Sequence, residues 1–262
     1  MMKNKITLTA SLVVYKNNPE MIKDAVNSLL NTSIEVKLYV IDNSPSPDLK
    51  NIFYNLNNVD YHYNNGNNLG FGKAHNVALS LLPDSDYHLV LNPDVFFENN
   101  VIPELIKYLE HNQDIGLISP KIYYPSGEIQ YLCKNYPSLF LLFARRFIPQ
   151  TFQFLMKNYL ARYEMRETGY KEVMNVTYLS GCFMFFRRKY LDEIGYFDEN
   201  IFMYLEDADI TLRMAKKYRT VFYPYVHIVH HWAKGSYKSF KLTLINIQSA
   251  FYFFNKHGWK LF

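Results

Sequence analysis

The stretch LTASLVVYKNNPEMIKDAVNSLLNTSIEVKLYVID, residues 8–42, sets the fold class of this 262-residue chain. It begins with the apolar run Leu8–Val14 and ends with a second one, Val36–Ile41, and each run has the length of a buried strand. Between them, Asn18-Pro19 has the order of an N-cap and a first helical residue, which predicts a helix to about Asn31. A strand, a helix and a strand in this order predict a βαβ unit.

The same alternation continues outward to about residue 120, with predicted strands at Val59–Tyr63, Tyr87–Leu91 and Ile115–Ser119 and helices at Lys73–Leu82 and Val101–Asn112. We therefore expect an α/β fold with a mostly parallel central sheet flanked by helices. The second half is less regular and predicts strands at Val176–Arg187 and Thr220–Val226 and helices at Asp207–Lys217 and Ser239–Lys256. No linker rich in Pro, Gly or Ser divides the chain, so residues 1–262 are expected to form a single domain.

The composition excludes several classes of protein. A hydrophobic content of 49% allows a sizeable core and argues against disorder, and no apolar run approaches the ~20 residues of a transmembrane helix. The net charge of +4 is too weak to indicate nucleic acid, but it suits an anionic small ligand or membrane face. Cys133 and Cys182 lack metal-site and redox-motif spacing, so we expect a reducing compartment. The N-terminal apolar run lacks a signal-peptide cleavage site and is interpreted as the first buried strand.

An acidic segment near the end of the chain is the strongest indication of function. Five carboxylates lie within residues 198–209, interleaved with Phe, Ile, Met, Tyr and Leu side chains. A fully solvated acidic run would not carry this much apolar bulk, so we expect a loop that packs on the core and directs selected carboxylates into a cleft. The helix dipole favours Glu206 and Asp207 at a helix start and would keep Asp207 ionised, as a general base requires. For Asp209, a helix cap is the alternative interpretation.

Two further polar groups follow predicted strands. Asn92-Pro93-Asp94 is explained either by a type I turn or by Asp94 acting as a ligand for Mg²⁺ or Mn²⁺. His230 and His231, with Lys234 close behind, indicate a phosphate or metal site, although Lys234 could equally be a surface lysine. Because ligands bind beyond the carboxyl ends of parallel strands, Asp42 and Asp94 are expected at the same edge of the sheet.

The loop Asn68-Leu69-Gly70-Phe71-Gly72 matches a dinucleotide fingerprint only in part. His75 stands at the position of the third glycine and the loop does not follow a tight strand-to-helix turn, which excludes an NAD site of that type. Alternatively, its two glycines let the backbone approach a nucleotide while the amides of Asn68 and Asn76 contact it. Asp42-Asn43-Ser44, at the end of a strand, is either a helix cap or a contact to a base and ribose.

The segment Leu139–Arg166 combines many apolar side chains with five cationic ones. It predicts either a buried pair of helices or a basic amphipathic surface on an anionic membrane, near a lipid-linked acceptor. The cationic residues are Arg145, Arg146, Lys157, Arg162 and Arg166.

Taken together, these motifs resemble the large inverting family of GT-A glycosyltransferases, specifically its rhamnosyltransferase-like branch. The likeness runs in order from about Leu8 to Ser236. The matching segments are Val13-Val14-Tyr15, Ile41-Asp42-Asn43-Ser44, the loop of residues 68–72 with Asn76, Leu91-Asn92-Pro93-Asp94, Leu179-Ser180-Gly181-Cys182-Phe183, Phe197-Asp198-Glu199, Glu206-Asp207-Ala208-Asp209 and His230 to Ser236.

The resemblance implies a GT-A (Rossmann-like) fold with an amphipathic helical insertion at about 138–168. It also implies a nucleotide-diphosphate-sugar donor, Mg²⁺ or Mn²⁺ as cofactor, and inversion at the anomeric carbon. Residues 1–120 would form the nucleotide-binding half, and residues 121–262 the acceptor and catalytic half.

Roles for individual residues follow from the same resemblance. Asp207 matches the catalytic base, Asp94 the last carboxylate of the metal motif, and His230 or His231 a metal- or diphosphate-binding position. Many relatives carry Asp where this chain has Asn92, although the rhamnosyl branch commonly shows Asn-Pro-Asp. Donor contacts are implied for Tyr15, Asp42, Asn43, Asn68, Gly70, Gly72, Asn76, Asn92 and Lys234, and acceptor contacts for Gly181, Asp198 and Glu206.

The expected function is transfer of L-rhamnose from dTDP-L-rhamnose onto a lipid-linked or growing bacterial surface polysaccharide of the O-antigen or capsule type. We expect a cytoplasmic enzyme held peripherally on the inner face of the cell membrane, with no nucleic-acid partner. The alternatives are a transferase for UDP-glucose, UDP-galactose or UDP-galactofuranose, or a non-catalytic scaffold that binds a sugar nucleotide.

Overall fold

The structure is a computed structural model that describes residues 6–142, 156–232 and 240–261. The strands within these ranges are β1 (Leu8–Val14), β2 (Val36–Asp42), β3 (Val59–Tyr63), β4 (Tyr87–Leu91), β5 (Val95–Phe97), β6 (Ile115–Tyr123), β7 (Met174–Asn175), β8 (Phe183–Arg187) and β9 (Arg219–His230). The α-helices are α1 (Pro19–Leu30), α2 (Phe71–Leu81), α3 (Val101–His111), α4 (Lys157–Tyr163), α5 (Arg188–Ile194), α6 (Glu206–Ala215) and α7 (Phe240–His257). In the described ranges, no helix has both the length and the apolar character needed to cross a bilayer.

The strands form one sheet in the order β3-β2-β1-β4-β8-β6-β9-β5, with β7 on β9. The expected α/β fold with a helix-flanked central sheet is confirmed, and strands β1 to β4 are parallel. The sheet as a whole is mixed rather than mostly parallel, because β8 lies antiparallel between β4 and β6. The chain re-enters the sheet where β4 ends, with the Asn92 amide donating to the Cys182 carbonyl at 3.0 Å, so β8 runs back along β4.

Helices cover both faces of the sheet, and the side-chain alternation of the strands decides which residues each face buries. Leu89 and Leu91 of β4 belong to the core beneath α1 and α3, whereas Val90 packs with α2, α5 and α6 on the opposite face. Helix α1 begins as predicted, with the Asn18 side chain accepting from the Glu20 amide and Pro19 at the first position.

One predicted strand is too long, and one observed strand was not predicted. The predicted strand Val176–Arg187 is limited to Phe183–Arg187, because residues 181–182 form a turn that ends its apolar run. The three-residue strand β5 was not predicted, since so short a segment shows no periodic pattern. The predicted insertion at 138–168 falls partly outside the described residues, and within them residues 139–142 and α4 are helical.

A chain of buried polar side chains links α2 to the sheet. The Ser11 hydroxyl lies 2.7 Å from His75 Nδ1 and 2.9 Å from His88 Nε2, and the Thr9 hydroxyl lies 3.0 Å from His88 Nδ1. Both histidines are fully buried. Burial lowers the pKa of His75 from 6.5 to about 3 and that of His88 well below 6.5.

This buried pair predicts an acid-sensitive fold. Between pH 6.5 and about 3, the unfolded chain binds protons that folded His75 does not, so stability is present above pH 6.5 and falls as the pH is lowered. Each histidine should contribute up to about 1.4 kcal/mol per pH unit in this window. Urea unfolding at pH 7 and pH 5 measures the loss, and a His88→Gln variant should show a shallower pH dependence. Equal slopes for wild type and variant would contradict this account.

Candidate functional site

The acidic segment enters α6 through a tight backbone turn. Tyr204 and Leu205 have φ values of 72° and 67°, in the left-handed region that side chains with a Cβ rarely adopt. Such a conformation costs on the order of 1–3 kcal/mol per residue and is found where a site must be held in one geometry. The turn places the next two residues, Glu206 and Asp207, at the first turn of the helix.

The Asp207 carboxylate is held by backbone donors. Its Oδ2 accepts from the Gly181 amide at 3.0 Å and its Oδ1 from the Ala208 amide at 2.9 Å. The absence of a side chain at Gly181 permits this approach, since a Cβ there would lie 3.3 Å from the Cβ of Asp207. Burial and the Asp207 carboxylate together raise the pKa of Tyr178 well above 10. The base predicted from sequence therefore has a fixed orientation.

Glu206 lies beside it in a different environment. The side chain is buried, and Oε2 has no hydrogen-bond partner among the described residues. Burial and the adjacent Asp207 carboxylate raise the pKa of Glu206 well above its usual range, which favours the neutral acid. A carboxyl group that favours its protonated form can donate a hydrogen bond to a substrate hydroxyl.

Asp94 and His230 meet where β5 pairs with β9. Asp94 Oδ1 lies 3.4 Å from His230 Nε2, while His230 Nδ1 donates to Gln130 Oε1 at 2.9 Å. Gln130 is fixed in turn, because its Nε2 donates to the His230 carbonyl at 2.6 Å. Burial lowers the pKa of His230, but Cys182 and the Asp94 carboxylate outweigh this effect and raise it to about 10.

This pair fits a divalent cation. With Nδ1 hydrogen-bonded to Gln130, the remaining nitrogen and the Asp94 oxygen face each other, and only a proton or a cation can satisfy both. No group of three His, Cys, Asp or Glu side chains suited to a metal occurs in the part of the chain that the structure describes. Two protein ligands leave the other positions of a cation for diphosphate oxygens and water.

The other two residues predicted near the metal are placed differently. The His231 ring packs against Phe96, with 5.3 Å between ring centroids, and its amide donates to the Asp94 carbonyl at 2.9 Å. Lys234 lies outside the described residues. Of the two histidines in the predicted pair, the structure brings His230 to Asp94.

A cavity of about 260 Å³ joins the two ends of the site. Glu206, Asp207 and His230 line it, with Lys134 as a cationic side chain. The Lys134 ammonium lies 4.4 Å from the centre of the Tyr178 ring. This wall therefore combines the Asp207 carboxylate, a histidine paired with a carboxylate, and a lysine. Such groups can act together on a hydroxyl and an anionic leaving group.

The predicted nucleoside residues lie at the carboxyl end of β2. Asp42 is fully buried, and its carboxylate accepts from the Ser44 amide at 2.8 Å and the Tyr61 hydroxyl at 2.6 Å. Asn43 is also buried and donates to the Gly70 carbonyl at 3.1 Å. These contacts tie the strand end to the glycine-containing loop, so Asp42 and Asn43 shape this edge of the sheet.

The two glycines of that loop permit close contact with the acidic segment. A Cβ on Gly70, whose φ is +81°, would lie 2.1 Å from the Phe202 carbonyl oxygen, and one on Gly72 would lie 2.8 Å from the Phe197 Cβ. Asn76 bonds both backbone groups of Phe197, donating to its carbonyl at 2.8 Å and accepting from its amide at 3.0 Å. This clamp was not predicted from sequence, where these residues were assigned to a nucleotide.

The remaining donor-side residues lie at the surface or at a strand end. Asn68 is exposed and its side chain accepts from the Gly70 amide at 2.9 Å. Tyr15 is 46% exposed and follows β1, with its amide donating to Asn17. Asn92 joins β4 to the turn at Cys182 through its backbone.

Asp198, predicted to contact an acceptor, instead anchors the acidic segment to α7. Its carboxylate accepts from Lys256 at 2.6 Å, Tyr252 at 2.9 Å and the amide of Asn200 at 3.0 Å. Burial opposes ionisation, but these donors lower the pKa of Asp198 below its usual range. Asp198 does not line the cavity that contains Asp207.

Asp209 forms a second anchor beneath the site. Its carboxylate has no exposed surface and contacts Arg213 at 2.8 Å, Lys256 at 2.6 Å and His257 at 2.7 Å. Burial raises its pKa, but these cations outweigh the effect and the net shift is downward. The Asp209 side chain therefore links α6 to α7, which is a larger role than the helix cap considered from the sequence.

Solved structures with this fold include a mannosyltransferase. The mannosyltransferase PcManGT from Pyrobaculum calidifontis, in complex with GDP-Man and Mn²⁺, is 15% identical with a TM-score of 0.60, and the alignment covers 88% of this chain and 58% of that one. S. aureus TarS 1-349 is 16% identical with a TM-score of 0.59, and 93% and 65% of the two chains are covered. At these identities the likeness concerns the fold alone, and the chain spans less than two thirds of either structure.

Similar sequences include rhamnosyltransferases. The chain is 26% identical over 230 residues to Rhamnosyltransferase WbbL of Escherichia coli (strain K12), covering 84% of this chain and 82% of that protein. It is 28% identical over 182 residues to the N-acetylglucosaminyl-diphospho-decaprenol L-rhamnosyltransferase of Mycobacterium tuberculosis (strain ATCC 25618 / H37Rv), covering 65% and 58%. It therefore spans somewhat more than half of the mycobacterial relative.

The profile of the family described as Glycosyl transferase family 2 matches residues 12–195, which is more than half of the chain. The match includes the loop of residues 68–72, Asn92-Pro93-Asp94 and the turn at Gly181 that holds Asp207. Together with the sheet order and the solved neighbours, it shows that the chain belongs to glycosyl transferase family 2 and is a glycosyltransferase of the GT-A fold.

Proposed function

We propose that the enzyme moves L-rhamnose from dTDP-L-rhamnose onto a lipid-linked or growing bacterial surface polysaccharide, with inversion at the anomeric carbon. The main support is that Asp207 and His230 line the same cavity. The Gly181 amide fixes the Asp207 carboxylate, and Asp94 lies beside His230. The names of both relatives support rhamnose as the sugar. The diphospho-decaprenol group in the mycobacterial name supports a lipid-linked acceptor.

Asp207 is the general base of this proposal. As the acceptor oxygen attacks the anomeric carbon, its proton passes to an Asp207 oxygen, and the bond from that carbon to the diphosphate oxygen breaks. One displacement from the opposite side of the sugar inverts the configuration. The two amides that hold the carboxylate fix its direction before substrate binds, which reduces the cost of orientation in the transition state.

Asp94 and His230 would hold Mg²⁺ or Mn²⁺. When bound, the cation would neutralise charge on the departing nucleoside diphosphate. Lys134 adds a positive charge to the same wall, and neutral Glu206 can donate its proton in a hydrogen bond to an acceptor hydroxyl. We retain Asp42, Asn43 and Tyr15 as contacts to the nucleoside at the edge where β1 and β2 end.

A comparison of nucleotide sugars tests the proposal. dTDP-L-rhamnose should raise the melting temperature more than UDP-glucose, UDP-galactose or UDP-galactofuranose, and with Mn²⁺ it should be hydrolysed slowly without acceptor. A larger shift with a UDP-sugar would reassign the donor. Tight binding with no hydrolysis or transfer of any donor would identify a scaffold instead of an enzyme.

Asp94→Ala is expected to remove the metal-dependent part of donor binding. Without the carboxylate, His230 alone cannot hold the cation, so dTDP should bind with similar affinity with and without Mn²⁺. Isothermal titration of dTDP in each condition measures this difference. Asp84→Ala, at an exposed position, is the matched control and should behave as wild type. If Mn²⁺ raised dTDP affinity as much in Asp94→Ala as in wild type, Asp94 would be a turn residue and not a metal ligand.

A further inference from the structure

The outward face of α7 carries a continuous apolar stripe. Its four members recur at a spacing of 4, 3 and 4 residues, which places them on one side of a helix. They are Phe240, Leu244, Ile247 and Phe251, with exposed fractions of 79%, 48%, 48% and 58%. Trp259 and Leu261 extend the stripe beyond the helix, since they are 46% and 59% exposed and the Trp259 ring packs 5.0 Å from that of Phe251. A contiguous exposed apolar surface of this kind marks an interaction site.

The helix that carries this stripe and the segment joined to it contain no acidic residue of their own, although Asp198 and Asp209 of the acidic segment pair with Lys256. Residues 129–163 and 210–262 contain 14 Lys and Arg and no Asp or Glu, whereas the rest of the chain contains all 24 acidic residues and the other 14 basic ones. The described parts of these two segments are joined, because the Leu139 amide donates to the Lys260 carbonyl at 2.8 Å and the Phe140 amide to that of Leu261 at 3.1 Å. Four of these cations, Arg213, Lys217, Arg219 and Lys256, are paired with carboxylates. At the end of the stripe, Lys260 lies between Trp259 and Leu261 in the chain and shares a cavity lining with Arg162, so this end of the stripe carries positive charge.

The opposite side of α7 faces the catalytic cavity. Leu242 and Asn246 line the cavity that contains Asp207. A neighbouring cavity of about 460 Å³ is lined by Arg162 and Lys260, and none of its described lining residues is acidic. One helix thus has the reaction site on one face and the apolar stripe on another.

We propose that the stripe of α7, with Trp259 and Leu261, docks on an anionic lipid bilayer. Apolar and aromatic side chains insert among the acyl chains near the headgroups, and Arg162 and Lys260 contact lipid phosphates. A second copy of the chain would present the same positive charge, which disfavours self-association through this face. Docking on the bilayer does not depend on the sugar donor. The role that we give to docking, which is to bring a lipid-linked acceptor to Asp207, rests on the proposed function.

Vesicle co-sedimentation of the whole protein tests the docking surface. Wild type should bind vesicles of phosphatidylcholine with phosphatidylglycerol more tightly than pure phosphatidylcholine vesicles. The triple variant Leu244→Ser/Ile247→Ser/Phe251→Ser should lose at least about tenfold in partition coefficient, because each lost apolar contact weakens insertion. Leu81→Ser, which alters a residue 49% exposed on α2, is the matched control and should bind as wild type. Melting temperatures of all variants report that they are folded.

Equal sedimentation of wild type and the triple variant would overturn the proposal. So would a wild-type dimer in size-exclusion chromatography that ignores vesicles and becomes monomeric in the triple variant, because the stripe would then belong to a second copy. Donor hydrolysis without vesicles separates this proposal from the enzymatic one. The triple variant should hydrolyse dTDP-L-rhamnose at the wild-type rate. If wild type bound vesicles but hydrolysed no donor, the docking surface would be supported and the proposed reaction would be wrong.

Discussion

Asp207→Asn is expected to lower the rate of sugar transfer by about 10²–10⁴, the usual contribution of a general base. Asn keeps a side-chain oxygen that can accept from the Gly181 amide, so the turn at residues 180–182 and the start of α6 should be preserved. The variant loses the carboxylate that takes the acceptor proton, together with the hydrogen bond from the Ala208 amide to Oδ1. Donor affinity should therefore stay close to that of wild type, and kcat should carry the loss.

Steady-state kinetics with calorimetric donor binding measure both quantities. Glu199→Gln is the matched control, because Glu199 lies in the same acidic segment but is 49% exposed and paired with Lys73. It should retain nearly full activity. Near-normal turnover by Asp207→Asn would contradict the assignment of the base, and a large loss of donor affinity would point to a structural role.

Asp209→Ala is expected to lower the free energy of unfolding by about 3–5 kcal/mol, the usual cost of removing one partner from a buried ionic cluster. The carboxylate is fully buried and is the shared partner of Arg213, Lys256 and His257. Its removal leaves cationic groups facing one another beneath the catalytic segment. Urea unfolding at neutral pH measures the loss.

The control for this variant is an exposed ion pair of similar geometry. Glu193 and Lys217 are 2.7 Å apart, with side chains 46% and 54% exposed. Glu193→Ala should leave the unfolding midpoint almost unchanged, since solvent screens such pairs. If both variants lost similar stability, the buried cluster would stabilise the packing of α6 on α7 no more than an exposed ion pair does.

The first half of the fold could be predicted because its elements are specified locally. Strands β1, β3 and β4 have the predicted limits, and α1 begins at the predicted cap. The second half depends on contacts distant in sequence. Nothing in the apolar run Val176–Arg187 shows that its first part turns at Gly181 to bind Asp207.

The site shows the same division. Asp94 and His230 could be proposed from residue type and position after strands, and Asp207 from its place at a predicted helix start. Gln130, which orients His230 from 100 residues away, has no such signal, and neither has Tyr178 beside Asp207. Asn76 contacts Phe197 across 121 residues, so a single sequence gives no indication of the pairing. The chemistry of these site residues could be predicted from the sequence, whereas the partners that orient them were identified only from the structure.

The contact of Gly70, Gly72 and Asn76 with residues 197–202 has a consequence for protein engineering. One way to recombine family members is to join the nucleotide half of one transferase to the acceptor half of another. Such a chimera would place a foreign 197–202 segment against these three residues, where a Cβ at Gly70 has no room. Residues 68–76 should therefore be exchanged together with the acceptor half, so the functional crossover point is not the boundary between the two halves.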